Sequence, residues 1–570
     1  MKRDIDALRG QVFDLLIVGG GAFGACAAWD AVQRGYSVAL VEANDFGSGT
    51  SANSYKFVHG GIRYLQHFDF RRLWESCRER SALLRIAPHL VSPMPIVLPT
   101  YGIGRAGKGF LGAGMLAYDM LTPHRNLGIP DSDHHIPMTS FMSRSDVQKR
   151  FPGIRTDGLT GGAVFADAQM YHPPRLVFEF IQSAARRGAQ VANYVRANAF
   201  LRKGDRIHGV QATDRISGNR FEVCAKVVLN AAGPWSEDVL ATDDIRLRDP
   251  GVYSRDTYFV VDEAPQTDCA LAIQGRSEDQ GAVINRGARH LFVVPWRGRG
   301  LIGVWHGVYR RSAAGITVDA TEINRFLTEF NQSTKTLRID RRDIRMVNAG
   351  LVPFGDSDNE GQKLTFGKVS TLVDSEREHG LSGLVTLIGV RHTMARGDAS
   401  RALNMVDAKL GRRGAVPDTT TEVLDAGRIE DFEQLFSQVS DTLAPFESAH
   451  MAKELIALHG AGVGSLFQSK RSEADLGVIG GAELIGAQID HAVRQEMAVT
   501  LGDVVFRRTA AAAAGSPGRT ALAQCAERMS TLLDWSEARK EREVSSVLDR
   551  FPCASSAGRI DEPAVEELRG

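Results

Sequence analysis

The chain has 570 residues, and its 68 lysines and arginines balance 68 aspartates and glutamates. That length exceeds one compact core, so two or more domains are expected. The zero formal charge leaves no whole-molecule field for nucleic acid or a membrane, and nucleic acid is set aside as a partner. No run approaches the roughly 20 apolar residues of a spanning helix. The opening Met-Lys-Arg-Asp-Ile-Asp has no signal-peptide core, and six scattered cysteines without a C-x-x-C pair read as reduced thiols. A soluble, cytoplasmic protein without a metal site is expected.

The first predicted unit runs from Phe13 to Glu42. Leu15–Val18 reads as a buried strand, Gly19-Gly-Gly-Ala-Phe-Gly24 as a turn, Ala25–Arg34 as a helix and Ser37–Val41 as a second strand ending at Glu42. Gly19 makes the tight turn, Gly21 admits a pyrophosphate close to the backbone, and Gly24 lets helix and strand pack closely. The N–H groups that open the helix, next to Ala22 and Phe23, favour a phosphate anion. Glu42 can accept from a ribose hydroxyl and disfavours a 2′-phosphate, so the ligand is FAD or NAD and not NADP.

Next comes Gly49-Thr-Ser-Ala-Asn-Ser-Tyr-Lys-Phe-Val-His-Gly-Gly-Ile-Arg-Tyr-Leu65. Thr50, Ser51 and Lys56 are hydroxyl and ammonium donors suited to pyrophosphate oxygens and a flavin rim. Gly60 and Gly61 would let the main chain pass against a flat ring. Tyr101–Leu121 is Gly-rich and apolar with Arg105 and Lys108, and two readings stay open: an interfacial membrane segment or a buried loop and helix. Further strands are expected at Gln190–Ala197, Phe221–Ala231, Tyr258–Val261, His290–Val294, Leu301–Val304 and Leu384–Ile388, with helices at Pro174–Arg187 and Ile323–Phe330. Gly233 closes one strand end, and Trp235 beside it reads as a packing residue. Arg391, His392 and Thr393 follow the last strand and open a helix. Residues 411–425 read as a linker. Apolar residues then recur at helical spacing, as in Phe432, Leu435, Phe436, Val439 and Leu443, so residues 426–545 are expected to be helical and 546–570 a disordered tail. Ala510–Ala514 is expected to be a helix end.

The Thr50–Leu65 stretch resembles the FAD-dependent glycerol-3-phosphate dehydrogenase family, within the D-amino-acid-oxidase-like flavoproteins. The likeness continues through Asn230-Ala-Ala-Gly-Pro-Trp235, Val294-Pro-Trp296, Gly389-Val-Arg-His-Thr-Met-Ala-Arg396, Ile489-Asp-His-Ala-Val-Arg-Gln-Glu-Met497 and Asp503-Val-Val-Phe-Arg-Arg508, roughly residues 12–545 in all. It implies an α/β fold: a Rossmann-type FAD-binding domain interleaved with an antiparallel-sheet substrate lobe over 12–410, then the helical domain. It adds Ala43, His59, Ala197, Ala232, Gly389, Arg391, His392 and Thr393 to the expected FAD contacts. It also places the Arg391 helix at the flavin pyrimidine edge, where a cation stabilises reduced flavin. The family has lysine where Arg391 stands; arginine keeps the charge and changes the geometry.

The implied reaction moves hydride from the carbinol of glycerol 3-phosphate to flavin N5, with Arg63 and Arg391 as site cations. The implied acceptor is quinone or oxygen; peripheral contact with the inner face of the membrane and a homodimer are both left open. Departures gather at the substrate. Val352 stands where the family has a phosphate-holding arginine, Tyr258 replaces a histidine, and Gly303-Val-Trp-His306 replaces Gly-Thr-Thr-Asp. His306 is read as a relocated base and Trp305 as a wall for a larger substrate, or both as residues that only repack a drifted site. Two alternatives remain: oxidation of a larger or non-phosphorylated alcohol or amine, and a flavin-binding protein with a degenerate site.

Overall fold

The computed structural model describes residues 1–104, 107–247, 252–262, 267–278, 288–309, 313, 315–335, 337–353, 369–412 and 416–552. Two sheets share residues 12–388 by turns. The first holds β1 (Val12–Val18), β2 (Val38–Val41), β7 (Gln190–Ala192), β8 (Val195–Lys203), β9 (Arg206–Asp214), β10 (Arg220–Asn230), β16 (Thr371–Asp374) and β17 (Leu384–Ile388). Its order is β16-β17-β10-β1-β2-β7, with β8 and β9 continuing antiparallel from β10. The five strands β17, β10, β1, β2 and β7 are mutually parallel. Parallel strands are covered on both faces, which is why β1 and β2 read as unbroken apolar runs. The helix Ala22–Gln33 is rich in alanine, and it packs with helices Pro173–Arg186 and Ala395–Leu410 in one core.

The second sheet takes the intervening segments: β3 (Phe57–Val58), β4 (Val91–Tyr101), β5 (Ser140–Met142), β6 (Leu159–Met170), β11 (Tyr253–Val261), β12 (Ala270–Glu278), β13 (Ala288–Trp296), β14 (Arg299–Tyr309) and β15 (Ile344–Pro353). Its order is β15-β11-β14-β13-β12-β4-β6-β3, antiparallel except between β12 and β4. The Rossmann-type unit and the antiparallel lobe are thus interleaved as expected. One face of this sheet packs on helix Ala320–Ser333, and the other looks toward the first sheet and the C-terminal helices.

Several expected elements shift. Gln190–Ala197 is two strands, because Tyr194 turns the chain at φ +55° and the buried Asn193 side chain bonds across domains. Tyr258–Val261 begins earlier, at Tyr253, because the polar Ser254, Arg255 and Asp256 continue the ladder with β14 and β15. The stretch expected to be a linker is anchored: Thr419 and Thr420 are buried, and Thr419 Oγ1 accepts from Arg396 Nη1 (2.6 Å). Residues 413–415 of it lie outside the described residues. Helix Lys108–Leu121 buries Leu111, Met115 and Tyr118 and exposes Phe110, Leu116 and Met120, so Tyr101–Leu121 is partly a packed helix; Arg105 lies outside the described residues.

Beyond residue 426 the chain is helical, from Phe432–Leu443 to Glu537–Leu548. Ala510–Ala514 is a turn that follows a π-helical segment, Asp503–Arg508. Order extends past 545, since Phe551 is buried with its ring 5.9 Å from that of Phe506; residues 553–570 lie outside the described ones. Buried ion pairs weld this domain to the first: Arg175 with Glu496, Arg297 with Glu454, and Asp45 with Arg507 and Arg508.

Candidate active site

A cavity of about 1490 Å³ runs between the two sheets, larger than a simple metabolite requires. Its nucleotide end is the β1–β2 unit. Gly19, at φ +109°, turns the chain so tightly that a Cβ would lie 2.7 Å from Ala231 O, and a Cβ on Gly24 would lie 1.9 Å from Gly19 O. Gly24 therefore serves helix–strand packing and is not in the cavity wall, whereas Gly19, Gly21, Ala22 and Phe23 are. Glu42 is fixed by two N–H groups, from Gly20 to Oε2 (2.6 Å) and from Asn44 to Oε1 (2.8 Å). Burial nevertheless pushes its carboxyl up. Ala43, Ala197, Ala232 and Gly233 line the same end, joined by Asn44, Ser48, Arg196 and Asn198, which motif reading did not single out.

Ser51 lines the cavity, and its Oγ accepts the Ala22 N–H (3.0 Å). Thr50 lines the cavity but turns its hydroxyl to β15, where it accepts from Leu351 N–H (3.3 Å). Lys56 and Gly60 are corrections, for neither lines the cavity. Lys56 is buried, donates to Tyr258 Oη (2.7 Å) and lies over the Trp296 ring (4.4 Å). No carboxylate pairs with it among the described residues, and burial lowers its amine to about 7. Gly60 makes room for buried groups instead of a flat ring, since a Cβ there would meet Arg80 Nη1 at 2.1 Å. Gly61, at φ +83°, does line the cavity.

The reacting end is built from paired side chains. His59 faces the cavity, half exposed, with Nδ1 3.1 Å from Asp167 Oδ2. Asp167 also accepts from Gly60 N–H (2.7 Å) and Arg80 Nη1 (2.9 Å). Burial opposes ionisation of Asp167, but His59, Arg80 and the Gly60 N–H together hold it below the usual carboxylate range. Thr393 Oγ1 accepts the His59 N–H (3.1 Å), which ties this pair to the β17 end. There Gly389 lies flat against Phe23, whose ring a Cβ would meet at 1.9 Å. Arg391 immediately precedes the 3₁₀ turn His392–Met394 that runs into helix Ala395–Leu410, and its guanidinium sits 5.1 Å over the Tyr64 ring. Burial lowers the His392 imidazole to about 4 and keeps it neutral. Arg63 is exposed on the facing wall.

On β11, β14 and β15 the cavity face carries Asp256, Tyr258, His306, Val308, Gly350 and Val352. His306 Nδ1 lies 2.7 Å from Asp256 Oδ1, which also accepts from Ser254 Oγ (2.5 Å). Trp305 is a correction: it projects from the opposite face of β14 and packs edge-on against Phe326 (6.0 Å). Successive strand residues point to opposite sides, so a cavity-facing His306 excludes a cavity-facing Trp305. Motif reading passed over Asp167 as a site residue. Its signal was a lone carboxylate inside the apolar strand Val164–Met170.

Residues 14–389 match the model of the FAD dependent oxidoreductase family. The chain belongs to that family. Residues 426–540 match a second model, the C-terminal domain of alpha-glycerophosphate oxidase. This FAD-dependent oxidoreductase is similar to a glycerol-3-phosphate dehydrogenase of Synechocystis sp., with 29% identity over 558 residues, 95% of this chain and 97% of the relative. It is also similar to the aerobic glycerol-3-phosphate dehydrogenase of Staphylococcus aureus, at 27% identity over 88% of this chain and 87% of that one. A glycerol-3-phosphate dehydrogenase from Bacillus halodurans, solved with FAD, superposes with a TM-score of 0.73 at 24% identity over 95% of both chains, which shows the shared fold. The cradle fits FAD on its own terms: close backbone at Gly19 and Gly21, N–H groups at a helix start, and a held carboxylate at Glu42.

Proposed function

We propose that this oxidoreductase oxidises sn-glycerol 3-phosphate to dihydroxyacetone phosphate. The observation that carries the reading is the full-length likeness to proteins named glycerol-3-phosphate dehydrogenase, in a chain whose cavity is lined by Arg63, Arg391 and the Asp167-paired His59. Bound FAD supplies the hydride acceptor at N5. Asp167 fixes the His59 tautomer by holding Nδ1, so Nε2 is the nitrogen offered to the cavity as base for the carbinol proton. Asp167 stays ionised through Arg80 and steadies the imidazolium that forms. Arg63 attracts and orients the phosphate. Arg391 and the N-terminal turn of its helix add positive charge where electron density arrives. The test is anaerobic bleaching of the bound flavin by glycerol 3-phosphate, compared with glycerol.

Val352 favours a second reading. It stands half-buried in the cavity wall on β15, beside Ser254, and brings no cation to that place. A larger or non-phosphorylated alcohol or amine would then be the better substrate, and the same assay run over polyol phosphates, polyols and amines separates the two.

For the acceptor we favour quinone at the inner face of a membrane. Phe68, Phe70, Trp74, Phe110, Leu116 and Met120 are exposed on neighbouring segments that flank the cavity wall at Tyr64–His67 and Gly114–Met115. Such an apolar and aromatic cluster suits insertion at the headgroup level. Among the described residues no helix is long and apolar enough to cross a membrane. Flotation with anionic vesicles is expected, and its loss in a Phe70→Ser, Trp74→Ser, Phe110→Ser variant would locate the contact.

A further inference from the structure

The paired arginines at the end of Asp503–Arg508 lie outside the cavity, yet they reach its nucleotide end through one residue. Asp45 follows Glu42 by three positions and is fully buried. Its Oδ2 accepts from Arg507 Nε (2.6 Å) and Arg508 Nη1 (2.7 Å), and its Oδ1 from Arg508 Nη2 (2.7 Å) and Asn193 Nδ2 (2.8 Å). Arg508 is itself held by Glu496 O (2.9 Å) and by the Phe178 ring (4.3 Å), and Arg507 by Asp503 (2.5 Å). Burial opposes the Asp45 charge, but Arg508 and Arg507 outweigh it and hold the carboxyl at about 2. Asn193 Nδ2 also donates to Met497 O (2.9 Å), and Tyr194 Oη to Asp503 (2.7 Å). The C-terminal domain therefore grips both residues of the turn between β7 and β8 as well.

What these contacts fix is the loop 42–47. Its main chain is stitched to the fingerprint by Gly47 N–H to Gly20 O (3.0 Å), and to β8 by Val195 N–H to Glu42 O (2.7 Å). Asn44 O accepts from Tyr194 N–H (2.8 Å). Asp45 is the buried charged pin among these main-chain bonds. Removing its partners would leave a charge in the interior, and the loop would move to find water. We propose that the helical C-terminal domain sets the affinity for FAD, with Arg507 and Arg508 gripping Asp45 so that the 42–47 loop keeps the shape that receives the adenosine ribose at Glu42. Asp45, Arg507 and Arg508 are positioning residues in this account, which rests on the reading of Glu42 as the ribose contact.

The test is FAD titration of the full-length apoprotein, followed by flavin fluorescence. Arg508→Lys keeps a charge and loses the planar fork, and Asp45→Asn keeps the shape. Each is expected to weaken FAD binding tenfold or more, with kcat little changed once FAD saturates. Arg297→Met breaks a different buried pair across the same domain seam and is expected to leave FAD affinity within twofold. Equal losses in all three variants would overturn the proposal in favour of general loosening of the seam. An unchanged Kd in Arg508→Lys and Asp45→Asn would overturn it outright. Glu42→Ala separates the supporting reading: an unchanged Kd there, with a weakened Arg508→Lys, would refute the ribose contact and leave the clamp in place. Should the variants fail to fold, amide exchange in the native chain decides. Coupling is reciprocal, so FAD must raise protection across Asp503–Arg508, and no change there contradicts the clamp.

Discussion

The two ends of the cavity are built from different materials. The nucleotide end is main chain: Gly19 and Gly21 clear space, Gly20 and Asn44 N–H groups aim Glu42, and the Ala22 N–H opens a helix. The reacting end is side chain held by side chain: His59 by Asp167, His306 by Asp256, and Tyr258 by Lys56. Main-chain sites tolerate little change, because a Cβ or a new dihedral moves the backbone itself. Paired side chains can be exchanged two at a time. That difference fits what the family resemblance implies: a fingerprint kept intact, with departures gathered at Tyr258, His306 and Val352 on the substrate side.

The largest expected effect lies at the nucleotide end. Gly24→Val would drive a branched side chain into Gly19 O, only 1.9 Å from the Cβ position, and FAD retention should fall to nothing. A yellow Gly24→Val protein with normal flavin content would break the contrast. The reacting end should lose rate and keep its cofactor. His59→Gln is expected to lower kcat by about 10²–10⁴-fold, read by stopped-flow bleaching at unchanged flavin content. Asp167→Asn should follow it in part, since Asp167 acts through His59.

Legibility in the sequence divides along the same line. The β1–β2 unit was readable because glycine spacing and an acid at a strand end report main-chain geometry directly. The interleaving of two sheets was legible only through the family resemblance, because the strands that return to the first sheet carry no local mark of which sheet they join. Lys56 was misplaced because a lysine after Thr-Ser looks like a phosphate ligand, and nothing local says that Met170 N–H bonding to Lys56 O turns the residue inward, at φ +63°. Trp305 was misplaced for want of the strand's phase, which alternation alone leaves undefined until one neighbour is placed. Asp45 and Arg508 are more than four hundred residues apart, and a pair of that separation has no local signature.

A smaller effect sharpens the side of the comparison that rests on side chains. The Lys56 amine titrates near 7 in the fold against 10.5 when free. Between those values the unfolded chain binds more protons, so this lysine costs stability at pH 7 and progressively less toward pH 10.5. Lys56→Met should raise Tm at pH 7, and the gain should shrink as pH climbs to 10. A gain independent of pH would mean the amine is ionised in the fold. At the β15 wall, Val352→Arg should lower KM for glycerol 3-phosphate by roughly tenfold, less in high salt. The smallest expected change is in Arg391→Met, with a lower flavin midpoint potential and a few-fold slower bleaching at intact FAD content.

The central claim is that this cavity oxidises a small phosphorylated alcohol with FAD. Its most direct test is anaerobic single-turnover mixing of the purified, flavin-loaded protein with glycerol 3-phosphate, followed at the oxidised-flavin absorbance. The account predicts saturable bleaching that yields one dihydroxyacetone phosphate per flavin, with glycerol far slower. Persistent yellow colour with glycerol 3-phosphate, alongside bleaching by a non-phosphorylated alcohol or an amine, would contradict it.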